Sequence, residues 1–486
     1  MKIRILISLI LLSCTAAGIC STPDETEYYA LLMSGKKIGY TVRIRQVADG
    51  RVTTTEKVKM TIARADFSMT IMTLEASVET LDGKPIGFES IQQLSGTTQT
   101  VKGTFDNKGK VNITTSAMGM TRQNTVDAPP GAIMSEGIRL LQLKKGLKQG
   151  TIYKATIFSP SLQAAVSAVV SVGSTENVDL FGRVIPLTRM DVTMQTPAGT
   201  ISTTSYVDNQ MRALKTKMPA MGMDLEMIAC DEAFALSEND VVDFLSGMLL
   251  KSPMPIKQIV PKSSATYFLR PTRDIKLNIP STDSQTVTPP AGGMMVVTVT
   301  PARATGGEFP YKGTDAKLLQ ALKPTTYVQS DNKEIIALAA KATAGAKTAA
   351  EAAKRIEAFV DDYIVEKNLS VGYASAVEVA QSKQGDCSEH AVLTAAMCRA
   401  IGIPARVVSG FVGVDDFLGK SNVFGAHAWT ESYVNGKWIG LDATRSKSPF
   451  GPTYITLAVG NGDPKDFFAM ATTLGNFKIE KITFKD

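Results

Sequence analysis

Cys387, His427 and Asp442 are the residues of this chain whose types and spacing can do chemistry together. Cys387 stands in Gln384-Gly385-Asp386-Cys387-Ser388-Glu389-His390-Ala391. Gly425-Ala426-His427-Ala428-Trp429 follows forty positions later, and Leu441-Asp442-Ala443 comes fifteen further on. A thiol, an imidazole and a carboxylate are the parts of an activated nucleophile. The thiolate attacks an acyl carbon, the imidazole takes and returns the proton, and the carboxylate sets the imidazole's tautomer. The expected intermediate is a thioester, which water or an amine would resolve, so hydrolysis and acyl transfer both stay open. No cofactor is called for. His390 and His427 are the only histidines, so such a site can be assembled in few ways.

The elements that must hold these groups are legible nearby. Asp386 with Glu389 three residues later reads as a helix-capping arrangement, and the helix continues through Ala391–Ala400 to a stop at Gly402 and Pro404. Cys387 then lies in the first turn, where free N–H groups and the helix dipole favour a thiolate. Asn435-Gly436 between His427–Val434 and Lys437–Ala443 predicts a two-residue hairpin in which Val434 pairs with Lys437 and Trp429 with Asp442. His427 and Asp442 become diagonal neighbours on one face, about 7 Å apart at Cβ. Trp429 and Trp438, the only tryptophans, fall on the same face and are expected either to wall the acyl site or to pack around it. His390 is expected to support the site by packing, and Cys398, about three helical turns beyond Cys387, to be core.

At 486 residues the chain is long enough for two to four domains, and its net charge of +6 is spread along the sequence. That pattern argues against a nucleic-acid surface. Lys2 and Arg4 followed by the apolar run Ile5–Leu12 read as a secretory signal within residues 1–20. Leu11-Leu12-Ser13-Cys14 offers a lipoprotein-type site with Cys14 as the lipidated residue; Thr15-Ala16-Ala17 offers an ordinary cleavage site instead, and Cys20 complicates the choice. The expectation is an exported protein of the periplasm or cell envelope, with a membrane tether if Cys14 is lipidated. Cys230, Cys387 and Cys398 remain beyond that segment, an odd number that leaves at least one free thiol.

From Tyr28 to Cys230 the chain reads as short antiparallel strands with turns at Asp49-Gly50 and Asp82-Gly83. A weak repeat runs through it: Asp106-Asn107-Lys108 leads to Ala117-Met118-Gly119-Met120, and Asp208-Asn209-Gln210 leads to Ala220-Met221-Gly222-Met223. It predicts two duplicated β lobes, 24–130 and, with a connecting helix over Ala132–Leu147, 131–252; the alternative is one large sandwich. A helix is also expected over Glu238–Leu250. Residues 253–324 read as a bridging β or linker segment with strands at Ala265–Leu269 and Met294–Val299. A compact α/β domain follows over 325–475, then a tail over 476–486.

The run from about Tyr327 to Asn461 resembles the transglutaminase-like domain of the papain-like cysteine peptidase superfamily. The resemblance rests on Gly385 to Ala391, on Arg399-Ala400-Ile401-Gly402-Ile403-Pro404-Ala405-Arg406, on His427-Ala428-Trp429 and on Trp438 to Thr444. It implies an α+β core with the cysteine's helix against the sheet that carries His and Asp, with Cys387, His427 and Asp442 in the triad roles. It also implies cysteine-dependent amidase, peptidase or acyltransferase chemistry on peptide or protein amides, although the family includes members without activity. Two other readings compete. One is a non-catalytic envelope scaffold whose β lobes bind a protein partner; the other is a zinc site of Cys387, His390, His427 and Asp442.

Overall fold

The computed structural model describes residues 25–486 apart from 65–66, 95–96, 118–119, 197–198, 221–222, 274–276, 370–373, 449 and 463–472. The expected signal segment with Cys14 and Cys20, and the loop residues Met118 and Met221, lie outside the described residues.

The N-terminal half is antiparallel β. Its first run comprises β1 (Glu25–Met33), β2 (Lys36–Ala48), β3 (Arg51–Arg64), β4 (Phe67–Thr80), β5 (Pro85–Leu94), β6 (Thr97–Phe105), β7 (Lys110–Ala117) and β8 (Met120–Asp127). A second run follows β9 (Ala132–Ile133) and α1 (Ser135–Lys145): β10 (Ile152–Ser159), β11 (Ala164–Leu180), β12 (Arg183–Thr196), β13 (Gly199–Val207), β14 (Ala213–Ala220) and β15 (Met223–Cys230). Hairpin turns set most registers. Asp49 and Gly50 both adopt positive φ, 51° and 70°, as a tight two-residue turn between Ala48 and Arg51 requires.

The repeat seen in the sequence has a local counterpart. Asp106 Oδ1 accepts from the N–H groups of Lys108 and Lys110 at 2.8 and 2.9 Å, and Asp208 Oδ1 accepts from those of Gln210 and Arg212, both at 2.9 Å. Separate lobes do not result, however. β1 pairs with β15 from Tyr28↔Cys230 to Met33↔Leu225, so the described strands make one 15-stranded sheet with β8 and β9 at its ends. The reason is edge pairing: each run would otherwise leave a long strand with unpaired N–H and C=O groups, and the two edges satisfy one another.

The helix expected over Glu238–Leu250 is broken up. α2 (Glu232–Leu236) precedes it, α3 (Phe244–Gly247) is one turn, and Leu250 already belongs to β16 (Leu250–Lys251). The intervening backbone is held extended against the sheet, with Asp240 N–H donating to Lys37 O at 2.7 Å and Ala63 N–H to Val242 O at 3.0 Å.

The C-terminal half is α+β. Helices α4 (Ala316–Gln320), α5 (Lys333–Ala342), α6 (Ala349–Tyr363), α7 (Ala376–Ser382) and α8 (Cys387–Ala400) precede β20 (Ala405–Phe417), β21 (Lys420–Val434), β22 (Lys437–Leu441) and β23 (Tyr454–Gly460). These strands form a sheet in the order β16-β21-β20-β23, with β22 also on β21. The linker and tail expected at either end of this domain turn out to be one unit. β17 (Ser264–Pro271), β18 (Gln285–Ala291) and β19 (Met294–Val299) make a second sheet with β24 (Phe477–Lys485), which pairs with β17. The apolar faces decide this, since Tyr267, Phe411, Phe424, Ile455 and Phe477 bury one another between the two sheets.

Helix α8 is the centre of the main core. Val392, Leu393, Ala395, Ala396, Met397 and Cys398 are fully buried against α5, α6, α7 and the Val407/Ala428 face of the sheet. A helix apolar on nearly every side is a core helix, and its N-terminus is thereby fixed against β21.

Candidate active site

The cysteine is positioned by the start of α8. Asp386 caps the helix, accepting at Oδ1 from Ser388 N–H at 3.1 Å and from Ser388 Oγ at 2.9 Å. Glu389 returns the bond by accepting from Asp386 N–H at 2.9 Å, and its other oxygen takes Ala374 N–H at 2.9 Å. Glu389 is fully buried, and burial together with Asp386 pushes its carboxyl up to about 8. Gly385 is obligatory here. Its φ is +150°, and a Cβ would come within 2.2 Å of Glu389 Cβ. Gly385→Ala is therefore expected to destabilise the protein by about 2–4 kcal/mol, read as a lowered thermal or urea midpoint, from backbone strain plus overpacking.

The imidazole comes from a gap in the sheet. On its outer edge β21 pairs with β16 up to Phe424 and with β22 from Thr430, leaving the stretch around His427 uncovered. The half-buried Cys387 lies against this stretch, close enough to the His427 side chain and to the backbone N–H of Ala428 for both to act on its thiol. The other side of the ring faces the carboxylate, with His427 Nε2 2.7 Å from Asp442 Oδ2. Asp442 is 1% exposed.

The predicted hairpin is present, with Val434 opposite Lys437 and Thr430 opposite Leu441. Asn435 and Gly436 both take positive φ, 44° and 85°. The ladder ends one step short of the expected Trp429/Asp442 pair, because Asp442 leaves the strand to cap the short turn Ala443–Arg445, its Oδ1 accepting from Thr444 N–H at 3.1 Å. That departure frees Oδ2 for His427.

Sequence reasoning missed one partner. Tyr454 Oη donates to the same Asp442 Oδ2 at 2.7 Å, and its ring packs edge-on to Trp429 at 5.4 Å. No local pattern links Tyr454 to the site; it arrives because β23 pairs with β20, placing Tyr454 opposite Val412. Trp429 is buried in the same cluster and lies nearly parallel to the His427 ring, 6.3 Å between centroids. Gly410, across the ladder from His427, has no room for a side chain, since a Cβ would meet Ile455 O at 2.0 Å and the Trp429 indole at 2.9 Å.

Trp438 is not at the site. It pairs with Tyr433, six residues along β21 from His427, and packs between the Tyr433 ring and the Arg406 guanidinium, 4.2 Å from its own ring centre. Sharing a strand face was read correctly, but at about 3.3 Å per residue six residues span about 20 Å. His390 is buried with Nδ1 2.6 Å from Asp386 O, which fixes the proton on Nδ1. Its Nε2 has no partner among the described residues, and burial lowers its pKa. Cys398 is buried, with Ser432 Oγ donating to its sulfur at 3.4 Å, and burial pushes its thiol up to about 12. Among the described residues no group of three or more His, Cys, Asp or Glu is arranged to hold a metal ion.

The electrostatics differ from a bare helix-start thiol. Burial and the neighbouring Asp386 raise the Cys387 thiol, while the His427 and Ala428 hydrogen bonds act in the opposite direction. Burial also opposes charging of His427, but Asp442 outweighs it and, with Cys387, pushes the imidazole up to about 10. Desolvation of Asp442 is likewise outweighed, and its carboxyl stays below its ordinary range. Asp442 thus stabilises the imidazolium that forms when His427 takes a proton, whereas burial opposes a thiolate at Cys387.

Residues 336–443 match the Transglutaminase-like superfamily profile. An uncharacterised protein of Mycobacterium leprae (strain TN) is 31% identical over 90 residues, 18% of this chain and 32% of its own length, so the chain spans about a third of that curated relative. Among solved structures, a candidate cysteine protease from Cytophaga hutchinsonii is 21% identical, with 46% of this chain and 85% of that one covered and a TM-score of 0.28. A candidate protease from Parabacteroides distasonis is 13% identical over 72% of this chain and 64% of its own, with a TM-score of 0.20. A β-barrel-like protein from Brucella abortus, of a domain of unknown function, is 14% identical over 43% of this chain and 96% of its own, with a TM-score of 0.34. The stretch that carries Cys387, His427 and Asp442 is a transglutaminase-like domain.

Proposed function

We propose that the protein is an exported cysteine-dependent amidase, peptidase or acyltransferase that cleaves peptide or protein amides through a thioester. Cys387 Sγ attacks the amide carbonyl carbon while its proton passes to His427. The tetrahedral intermediate collapses by breaking the C–N bond, and His427 protonates the leaving amine. Water, deprotonated by the same imidazole, then displaces Cys387 and releases the acid; an amine in its place gives transfer. The Cys387 N–H is the first-turn donor suited to receive the oxyanion, since the Asp386 side chain takes those of Ser388 and Glu389. Asp442 orients His427 through Nε2, leaving the other ring nitrogen for the sulfur.

The observation that carries this reading is the line Cys387, His427, Asp442, with both sides of one imidazole engaged. An acyloxymethyl ketone probe tests it. Wild-type protein should be labelled at Cys387, Cys387→Ala should not be labelled, and His427→Ala should react about 10²–10⁴-fold more slowly. Equal labelling of wild type and His427→Ala would remove the activated thiolate and leave the scaffold reading. Export and a lipid on Cys14 belong to the same proposal, and the intact mass of the mature N-terminus decides between a diacylglyceryl cysteine and ordinary cleavage.

A further inference from the structure

The inner face of the 15-stranded sheet carries one row of side chains that the strand register spells out. Glu27 on β1 faces Arg43 on β2, Arg43 faces Glu56 on β3, Glu56 faces Glu75 on β4, and Glu75 faces Ser90 on β5. Charges alternate until the Glu56–Glu75 step, where two carboxylates stand directly opposite each other. Like charges at opposed positions destabilise a sheet. Glu56 is already committed, taking both Nε and Nη2 of Arg43 at 3.1 and 2.7 Å. Glu75 has only neutral donors, Ser161 Oγ at 2.8 Å and the Ser161 backbone N–H, and no cationic partner among the described residues. Burial and Glu56 hold its carboxyl above the ordinary range, as an acid short of a counter-charge behaves.

This row borders a cavity of about 1140 Å³. The opposite strands contribute an apolar stretch, Met190, Val192, Met194 and Met227. The arginines on its lining are all bound to acids: Arg43 to Glu56, Arg45 and Arg139 to Glu136, and Arg212 to Asp208. An anion entering would have to displace a carboxylate from one of these pairs. A cation would find Glu75 waiting and would relieve its repulsion with Glu56. A cavity of this size, with one unsatisfied charge and an apolar stretch, suits an organic molecule better than a bare ion.

We infer that this cavity binds an organic cation with an apolar stem, an alkylammonium or lysine-type amine whose ammonium pairs with Glu75. The site is independent of the thiol chemistry and would exist in a protein with no activity at all.

Titration calorimetry on Cys387→Ala protein, in which turnover through that thiol is absent, tests the assignment with hexylamine, butylamine, hexanoate and magnesium chloride. Hexylamine should bind, butylamine should bind more weakly by about fourfold per methylene removed, and hexanoate should not bind. Glu75→Gln keeps an acceptor for Ser161 and removes the repulsion, so it should fold at least as stably, yet weaken hexylamine at least tenfold. Ser161→Ala, which leaves the carboxylate in place, should retain most of the affinity. Unchanged hexylamine affinity in Glu75→Gln, equal binding of hexanoate, displacement of the amine by magnesium, or no hexylamine binding at millimolar concentration by the folded protein would each overturn the inference.

Discussion

Asp442→Asn is expected to lower kcat/KM for amide cleavage by about 10³–10⁴-fold while leaving the fold intact, measured on the same substrate as wild type. The argument is one of tautomers. Asp442 Oδ2 accepts from His427 Nε2 and from Tyr454 Oη, both at 2.7 Å. An asparagine that keeps its oxygen in the Oδ1 place, toward Thr444 N–H, presents its NH₂ group to both the imidazole and the Tyr454 hydroxyl, which can accept, and so makes Nε2 an acceptor. The ring proton moves to the nitrogen facing Cys387, which can then no longer take the thiol proton. The loss should fall on kcat as much as on kcat/KM, because Asp442 is buried behind His427 and the orientation it imposes matters in the proton-transfer steps.

The same residue sets a pH dependence of stability. His427 is held at about 10 in the fold against 6.5 for an ordinary imidazole, so its contribution is complete below about pH 6.5 and is lost as pH rises through about 10. Wild-type thermal midpoints should therefore decline between about pH 7 and pH 10, and Asp442→Asn should show a flatter profile over that window. Parallel profiles for the two proteins would mean that His427 is not held charged by Asp442.

Arg399→Met is expected to cost about 3–5 kcal/mol of stability, measured by urea unfolding. Arg399 is 4% exposed near the end of α8. Its guanidinium donates to Ala405 O at 2.9 Å, Lys323 O at 2.7 Å and Asn461 Oδ1 at 2.8 Å. It thus ties the cysteine's helix to the first sheet strand, to the segment before α5 and to the end of β23. Methionine fills comparable space but leaves those acceptors without this donor. Because the contacts lie at the far end of α8 from Cys387, probe labelling of the folded fraction should change far less than stability does.

Much of the site was written in short stretches of sequence. The capping arrangement of Asp386 and Glu389 and the Asn435-Gly436 turn are local devices, each settled by residues within a few positions of one another. Their consequences, a cysteine in a first helical turn and a histidine on a known strand face, followed by counting. Counting failed where distance along a strand mattered, as with Trp438, and where a residue had to leave its ladder, as Asp442 does. It also failed for the β region. The repeated Asp106 and Asp208 turns suggested separate lobes, yet matching local turns say nothing about which strand edge pairs with which.

What the sequence alone determined is the set of groups and their immediate supports: a thiol at a helix start, an imidazole and a carboxylate flanking one hairpin, and glycines where the backbone demands them. Tertiary structure decided the rest. It left β21 uncovered between β16 and β22 so that Cys387 meets His427, brought Tyr454 onto Asp442 through pairing of β23 with β20, and closed β1 onto β15. It likewise lined up Glu27, Arg43, Glu56 and Glu75 across neighbouring strands and left Glu75 without a cation among the described residues. The physical reason is the same in each case. Propensity, capping and turn chemistry act over a few residues, whereas strand edges, buried carboxylates and cavities are satisfied only by groups that the fold carries in from far along the chain.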